Sequence, residues 1–542
     1  MQTPNVIHLL NDFGGISGLR VNMSKSVALN VSLPQSQLDN LKSNFPFSWN
    51  STSIPYLGIN LTSQIEFLHK YNYPPMVKKL LEDLRQWSLY NLSWLGRVNA
   101  VKMTLLPKIL YLFRSLPIPI TKSYIDSLQS AITKFIWEKK GNRLSKSVLF
   151  RPRLKGGLGL PNLWWYYRAA QLSQFSIVYL KGPKPDWVFM ERAATPGFTL
   201  DFLLWTHPRN RPPILAPTLS HSMSLCDSLH KLTSVVSHWH PLAHIFHNPR
   251  FPPGLDIAAF KWWLDKGLYR IGHFFNSNGP FTLGYCSSKL KMPPSEKFRF
   301  FQISHFLHQI KRSCTDQPSV TPYEQWCSSA MDTKGGISLI YSALAEPLEK
   351  ALYMKNWERD LDLDWSLERW HSNLARSFKG ILNVSLTEAC LKVMTRWYLV
   401  PTRVAKFYPQ SSPLCFRGCG LSGSFLHILW ECPRIRSFWH KVFHLIRKVT
   451  GIGVACDPAI ALLNSPIPKI PKSSQMLIFF ILLGAKMTIT KAWKTPSASI
   501  LLAKRKISWM MSNERISNVI LDSVESFKLI WEPWATYVRV LL

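Results

Sequence analysis

The chain has 542 residues, with 65 lysines and arginines against 31 aspartates and glutamates, and therefore a formal net charge of +34. Only 18% of the residues are charged and 46% are hydrophobic, which excludes a disordered basic tail and provides apolar material for several folded cores. Such an excess of base repels itself in a compact protein unless a polyanion offsets it, so nucleic acid is the first expected partner and an anionic membrane surface the second.

The first elements in chain order are a predicted helix, a turn and a strand. Residues 6–13 are apolar at helical spacing, glycines follow at 14, 15 and 18, and residues 19–29 alternate loosely. Residues 54–59 form a short apolar run with an internal proline and glycine, which predicts a strand or a tight hairpin. The N-terminus has no basic segment followed by an apolar one, so we expect a cytoplasmic or nuclear protein with free thiols rather than a secreted one.

A strongly basic block follows within a helical region that extends from residue 75 to about 180. Residues 97–181 hold 15 lysines and arginines against two acidic residues, and aromatic residues are interleaved with them. Cations for phosphates together with flat rings are typical of a nucleic-acid groove, whereas the alternative is a solvated charged face with the rings in the core. The candidate nucleic-acid-binding residues of the second half of this block are Lys139, Lys140, Arg143, Arg151, Arg153 and Lys155.

The rest of the chain predicts further helices and one irregular region. Residues 182–253 are rich in proline, histidine and aromatics and predict irregular packing, while residues 346–398 are again helical. The stretch 464–474, rich in proline, lysine and serine, predicts a linker. The apolar run 476–485 has only ten residues, whereas a spanning helix needs about 20. We therefore expect a buried core helix and no transmembrane segment.

A cluster of cysteines and one histidine predicts a metal site. Its four candidate ligands, spaced C-x3-C-x7-H-x4-C, are Cys415, Cys419, His427 and Cys432. Three thiolates and one imidazole suit a closed tetrahedral Zn²⁺ site, which is structural because no coordination position stays vacant for a substrate. The spacing differs from that of a compact zinc knuckle, C-x2-C-x4-H-x4-C, and the alternative is a set of buried thiols with a core histidine.

Several segments also carry a resemblance to one protein family. Residues 13–26 (FGGISGLRVNMSKS) and 54–59 (IPYLGI) are similar to late palm motifs, and residues 87–113 are similar to a thumb. Residues 135–172 are similar to the segment after the thumb. Residues 396–409 (RWYLVPTRVAKFYP), the cysteine cluster with HILWEC, and residues 457–463 are similar to a cysteine-rich C-terminal end. Together, in this order, they resemble the reverse transcriptases of non-LTR retrotransposons of the long interspersed element type.

This resemblance implies a mainly α-helical fold with a small α+β remnant. The expected domains are a C-terminal palm remnant over residues 1–65 and a helical thumb with the basic block over 66–181. A helical or irregular connecting region over 182–408 precedes a CCHC zinc-binding module over 409–445 and a C-terminal helical region over 446–542.

The resemblance also implies roles for individual residues. Lys25 matches the late palm lysine that helps to protonate the leaving pyrophosphate, a role that would be vestigial here. The hairpin that grips the primer end corresponds to Tyr56, Leu57 and Gly58. The thumb positions expected near the template–primer backbone correspond to Arg97, Lys102 and Lys108.

The implied function is that of a nucleic-acid-binding fragment of an RNA-directed DNA polymerase, which grips template RNA, primer or target DNA, and the RNA–DNA hybrid. The family's catalytic Phe/Tyr-x-Asp-Asp motif is expected upstream of residue 13, and the 542 residues contain no Asp-Asp dipeptide. Polymerisation needs paired carboxylates that hold two metal ions, so we expect binding without polymerisation, and Mg²⁺ only in an intact parent enzyme. Two alternatives stay open: an active reverse transcriptase if a longer product exists, and a non-functional product of a decayed element.

Overall fold

A computed structural model shows a protein that is mostly helical, with few and short strands. The structure describes residues 3–22, 25–44, 48–50, 52–138, 141–174, 185–193, 195, 203, 211, 214, 216–232, 241, 243–246, 248, 251, 257–313, 335–345, 349–379, 381–495 and 497–540. The predicted predominance of helix is confirmed within these residues.

The helices before residue 250 are α1 Thr3–Ser17, α2 Gln35–Asn44, α3 Phe67–Ser88, α4 Trp94–Ala100, α5 Leu106–Ser115, α6 Lys122–Trp137, α7 Lys146–Phe150, α8 Leu163–Leu172, α9 Asp186–Ala193 and α10 Pro217–Leu232. The later helices are α11 Lys261–Asp265, α12 Leu283–Ser288, α13 Lys297–Ser313, α14 Gly336–Leu344, α15 Leu352–Leu361, α16 Leu367–Lys379, α17 Val384–Met394, α18 Pro401–Phe407, α19 Pro433–Thr450, α20 Pro458–Leu463, α21 Lys472–Lys491, α22 Ile500–Ile520 and α23 Val524–Arg539. Among the described residues, two segments are π-helical, Val101–Leu105 and His427–Glu431.

The strands pair in twos. Strand β1 Val27–Leu29 is parallel to β2 Ser48–Asn50, and β3 Ser53–Tyr56 is antiparallel to β4 Ile59–Thr62. Strand β5 Phe275–Asn276 is antiparallel to β6 Gly279–Pro280. Of the loosely alternating residues 19–29, only β1 is a strand.

Helix α1 is longer than the sequence predicts, because the glycines at 14 and 15 do not end it. The helix continues to Ser17, and Gly18 follows with a φ of +71°, a left-handed conformation that glycine adopts without steric cost. The N–H of Gly18 donates to the Gly14 carbonyl at 2.9 Å. Gly18, which has a positive φ, therefore sets the end of this helix, rather than the first glycine of the run.

The chain divides into two compact units whose segments alternate along the sequence. Unit 1 comprises residues 1–82, 107–129 and 162–346, and unit 2 comprises residues 83–106, 130–161 and 347–542. The five expected domains with limits at 65, 181, 408 and 445 stay a prediction.

Unit 1 buries aromatic residues that belong to the basic block. The Tyr167 hydroxyl donates to the Ile118 carbonyl at 2.9 Å and accepts the Ile120 N–H at 3.0 Å, and the Tyr167 side chain is fully buried. The ring of Tyr166 lies 4.2 Å from that of Tyr341 on α14. These two tyrosines are packing residues, which agrees with the alternative that rings of the block lie in the core.

Unit 2 is built around helices α19, α21, α22 and α23. Trp439, Trp531 and Trp534 are among its largest fully buried side chains. A Cβ on Gly484 of α21 would lie 2.7 Å from Cγ1 of Ile507 on α22, so these two helices pack closely because glycine has no side chain there.

The apolar run 476–485 lies inside α21, which has 20 residues and is therefore twice as long as the run suggested. By length and composition alone α21 could cross a membrane, and 67% of its most apolar stretch is buried inside the protein. Its predicted burial is confirmed. The preceding connection is packed rather than a free linker, because Ile467 and Ile470 lie against the core of unit 2.

Candidate functional site

The four predicted metal ligands lie together in unit 2. Their ligand atoms all lie within 4.8 Å of one another. Cys415 Sγ is 3.9 Å from Cys432 Sγ, and Cys419 Sγ is 3.2 Å from His427 Nε2. Two sulfurs on one tetrahedral zinc, with bonds of about 2.3 Å, lie about 3.8 Å apart. The cluster can hold a metal ion, and its spacing is compatible with zinc.

A short hairpin and a π-helix bring these ligands together. The N–H of Cys415 donates to the Leu421 carbonyl at 2.8 Å, and positive φ values of +67° at Gly418 and +77° at Gly420 turn the chain between them. His427 begins the π-helix, whose wider turn ends when the Cys432 N–H donates to the His427 carbonyl at 2.9 Å. The ligand spacing predicted a metal cluster here, but not the π-helix.

Burial acts on the histidine and on one cysteine of the cluster in different ways. Burial lowers the pKa of His427, which keeps the imidazole neutral and its Nε2 lone pair available to a metal. Burial raises the pKa of the Cys415 thiol to about 11, and a metal ion would displace that proton. Three thiolates and a neutral imidazole around Zn²⁺ would carry a net charge of −1. The guanidinium of Arg417, between the first two cysteines, is buried and donates to the Ile428 carbonyl at 2.8 Å, so it offers a compensating positive charge.

The predicted primer-grip residues form the tip of a hairpin in unit 1. Tyr56 pairs with Ile59 across β3 and β4, and the two-residue loop between them has positive φ at Leu57 (+48°) and at Gly58 (+81°). Positive φ at both loop residues defines a type I′ turn. The hydroxyl of Tyr111 on α5 donates to the Leu57 carbonyl and anchors this tip. The predicted hairpin is therefore confirmed as a structure.

A groove of about 590 Å³ opens beside this tip. Its lining includes Gly58, Asn60, Lys79, Lys108 and Tyr111, which combine two cations with polar and aromatic groups. A larger cavity of about 870 Å³ lies among α21, α22 and α23. Its lining contains none of the predicted site residues, whereas Gly58 and Lys108 line the smaller groove, so the smaller groove is the better candidate for a nucleic-acid strand.

Three of the predicted nucleic-acid-binding arginines are tied into the fold of unit 2. Arg97 is 5% exposed, Arg151 is buried and donates to the Glu349 carbonyl, and Arg143 lies 5.4 Å above the Trp397 ring. The Arg97 side chain donates to the Phe135 carbonyl at 3.2 Å and forms an ion pair with Glu138. The prediction did not distinguish such internal cations from surface ones.

The described lysines of the same set lie at the surface. Lys102 is exposed on the π-helix, Lys108 is exposed on α5, and Lys155 is exposed at the end of a 3₁₀ turn, whereas Arg153 at the start of that turn is half-buried. Lys139 and Lys140 lie outside the described residues. Lys25 is exposed in a turn where its N–H donates to the Asn22 side chain at 3.1 Å.

The loop that carries Arg151, Arg153 and Lys155 is firmly held. The N–H of Leu158 donates to the Val148 carbonyl at 3.2 Å, and the N–H of Leu160 donates to the Leu149 carbonyl at 2.9 Å. A Cβ on Gly157 would lie 2.1 Å from the Arg151 carbonyl oxygen, so the loop folds back on α7 at a distance that only glycine allows. The glycine-rich turn is thus a packing device that presents its cations in fixed positions.

The sequence did not indicate three residues that organise these sites, namely Asn99, Tyr111 and Arg417. Asn99 accepts a hydrogen bond from Arg153 at 2.9 Å across 54 residues of sequence, and Tyr111 reaches Leu57 across the same separation. No local spacing signals such contacts. The chain matches no protein-family model.

Proposed function

We propose that this chain is a nucleic-acid-binding, C-terminal fragment of a non-LTR retrotransposon reverse transcriptase, and that it holds RNA–DNA hybrid without polymerising. One observation carries the binding part of this proposal. Lys102, Arg153 and Lys155 of the basic block reach the surface and form no ion pair with any described acidic residue. Cations without an acidic partner bind phosphates at the smallest cost, because no internal pair has to be broken.

The hairpin tip and its groove support the same proposal. The tip carries the exposed side chains of Tyr56 and Leu57, and Lys79 and Lys108 line the groove beside it. Lysine side chains bind phosphate oxygens, while aromatic and apolar side chains contact sugars and bases. In this proposal the groove holds the primer end, and Lys25 has no catalytic role.

The cysteine–histidine cluster has a structural role in this proposal. Cys415, Cys419, His427 and Cys432 bind one Zn²⁺, and Cys415 and Cys432 also belong to the hydrophobic core of unit 2. A four-ligand site leaves no position for a substrate, so the metal stabilises the fold. Mg²⁺ belongs only to a parent enzyme that supplies the catalytic carboxylates.

The binding proposal is tested by fluorescence anisotropy with a labelled RNA–DNA hybrid of about 20 base pairs, titrated at several salt concentrations. The logarithm of the binding constant should fall with the logarithm of salt concentration, with a slope of about −0.9 for each phosphate contact. Two or more contacts predict a slope of about −1.8 or steeper. A flat dependence would refute the electrostatic surface.

The absence of polymerase activity is tested separately by primer extension with the 542-residue chain, template RNA, DNA primer, Mg²⁺ and nucleotides. We expect no incorporated nucleotide, because the sequence offers no adjacent aspartate pair for two metal ions. Incorporation above that of a heat-denatured sample would favour the alternative of an active enzyme.

A further inference from the structure

Two cations of unit 2, Lys102 and Arg153, flank a single glycine. Lys102 Nζ lies 3.1 Å, and the backbone N of Arg153 lies 3.7 Å, from the point where a Cβ on Gly159 would stand. Gly159 has a φ of +64°, so both the backbone and the space favour glycine here. A larger residue at this position would displace the Lys102 ammonium group from its place beside the Arg153 backbone.

Neighbouring groups hold the Arg153 side chain and the turn that carries it. The Arg153 Nη2 donates to Asn99 Oδ1 at 2.9 Å, and Lys102 stands on the π-helix directly after α4. The Gly159 N–H donates to the Arg151 carbonyl at 2.8 Å and the Gly156 N–H to the Arg153 carbonyl at 3.0 Å, which fixes the turn. A preorganised arginine loses little conformational entropy when it binds an anion.

The two charges are near enough to repel each other. Desolvation by neighbouring groups, followed by the charge of Arg153, lowers the pKa of Lys102 although the residue as a whole is exposed, and desolvation lowers the pKa of Arg153. No ion pair joins either side chain to an acidic residue in the part of the chain that the structure describes. An anion placed between two such cations turns their repulsion into two attractions.

We infer that Lys102 and Arg153 form a clamp for a single phosphate of a nucleic-acid strand, with Gly159 leaving room for the Lys102 ammonium group beside the turn that carries Arg153. This inference rests on the proposed function, which it makes specific. Exposed apolar side chains stand next to both cations, Met103 at 77% and Leu154 at 48% exposure. Cations alternating with apolar groups match a strand in which phosphates alternate with sugars.

The test uses the full chain and a labelled RNA–DNA hybrid of about 20 base pairs, with Lys102→Gln, Arg153→Gln and the double variant. If both cations bind one phosphate, either single variant weakens binding but leaves the salt slope nearly unchanged, because the remaining cation still neutralises that phosphate. The double variant should then make the slope shallower by about 0.9, which corresponds to about eightfold weaker binding at 0.1 M salt. Lys528→Gln is the matched control, since this exposed lysine on α23 already pairs with Glu525 at 2.7 Å.

Two results would overturn the clamp. If each single variant makes the slope shallower by about 0.9 and the double variant by about 1.8, the cations contact separate phosphates. If all three variants bind like Lys528→Gln while the wild type keeps a steep slope, the phosphate lies elsewhere. A wild type without salt dependence would instead refute the proposed function itself, so the two failures are distinguishable.

The conservative variant Lys102→Arg and a lipid measurement complete the design. Lys102→Arg keeps the charge and should bind the hybrid within about twofold of the wild type. A membrane surface is the other source of phosphate diesters, and sedimentation with phosphatidylserine vesicles tests it. Loss of vesicle binding in the double variant, with hybrid binding unchanged, would assign the pair to a membrane surface and overturn the inference.

Discussion

The Nη2 atom of Arg97 lies 2.8 Å from the Oε1 atom of Glu138, and this ion pair joins α4 to the end of α6. The Arg97 guanidinium also lies 5.0 Å above the Phe135 ring and donates to the Phe135 carbonyl. A residue predicted to contact a template–primer backbone thus has its charge satisfied inside unit 2. Substitution of Arg97 should therefore lower the stability of the protein without changing nucleic-acid binding. Substitution of Lys102, five positions later, should weaken nucleic-acid binding without lowering stability.

Arg97→Gln should destabilise the protein and leave the salt slope of nucleic-acid binding unchanged. The variant loses a buried charged hydrogen bond and an ion pair, and we expect the free energy of unfolding to fall by about 2 kcal/mol. Urea denaturation followed by circular dichroism measures this loss. Lys102→Gln is the matched comparison and should stay within about 0.5 kcal/mol of the wild type, because Lys102 is exposed. Equal losses of stability in both variants would contradict the distinction between an internal Arg97 and an exposed Lys102.

The cysteine cluster leads to a prediction on metal content. Cys432→Ser should lower bound zinc from about one ion per chain to nearly none, because a tetrahedral site with three ligands binds far more weakly. Its unfolding temperature should fall by about 5 °C or more, since Cys432 also lies in the core. Elemental analysis and thermal unfolding check the two expectations.

The control for this prediction is Cys456→Ser. Cys456 is exposed and lies outside the cluster, so the variant should keep its zinc and its unfolding temperature. If Cys432→Ser retains a full zinc ion, the assigned ligand set is wrong. If it loses zinc without any change in stability, the metal has no structural role.

The sequence predicted features that depend on local spacing. The four ligands and their glycines lie within one short segment, so spacing alone predicted a metal cluster that the structure brings together. The hairpin at Tyr56 to Ile59 is local in the same way, because a two-residue loop with glycine fixes its own register.

Whether each cation is buried or exposed could not be predicted from the sequence. Arg97 is internal because Glu138, at a φ of +51°, turns back toward it at the end of α6, whereas Lys102 is exposed on a π-helix that helical periodicity does not anticipate. The hydrogen bond from Arg153 to Asn99 joins residues that are 54 positions apart, and no local sequence pattern indicates it. Charge content is a property of the sequence, while burial of each charge is a property of tertiary packing.

A buried lysine in the core of unit 2 predicts a pH dependence of stability. Lys486 is 1% exposed, its Nζ donates to Asn464 Oδ1 at 2.7 Å, and burial lowers its pKa from the ordinary 10.5. Between the lowered pKa and 10.5 the unfolded chain holds a proton that the folded chain lacks. The free energy of unfolding therefore rises with pH through this window, by up to about 1.4 kcal/mol per pH unit, and the gain is lost as the pH falls.

Lys486→Met should remove this rise. Urea denaturation between pH 7 and 10 should show a smaller gain in stability for the variant than for the wild type. Lys472→Met, an exposed lysine at the start of the same helix, is the control and should keep the wild-type pH dependence. Parallel curves for wild type and Lys486→Met would mean that this amine keeps its proton in the folded state.

Substitution of Leu57 should raise the stability of the protein while weakening its binding to the RNA–DNA hybrid. Its φ of +48° is unfavourable for leucine, and asparagine before glycine is the preferred pair in a type I′ turn. Leu57→Asn should therefore raise the free energy of unfolding by about 1 kcal/mol. Because the Leu57 side chain is 75% exposed at the tip of the hairpin, its loss removes no packing and should weaken hybrid binding if the tip contacts the primer.

Leu89→Asn is the matched control, since Leu89 is 77% exposed but has no positive φ, and it should give no gain in stability. Urea denaturation and fluorescence anisotropy on the same samples separate the two effects. A gain in stability with unchanged binding would remove the tip from the nucleic-acid surface and leave Lys102 and Arg153 to account for it.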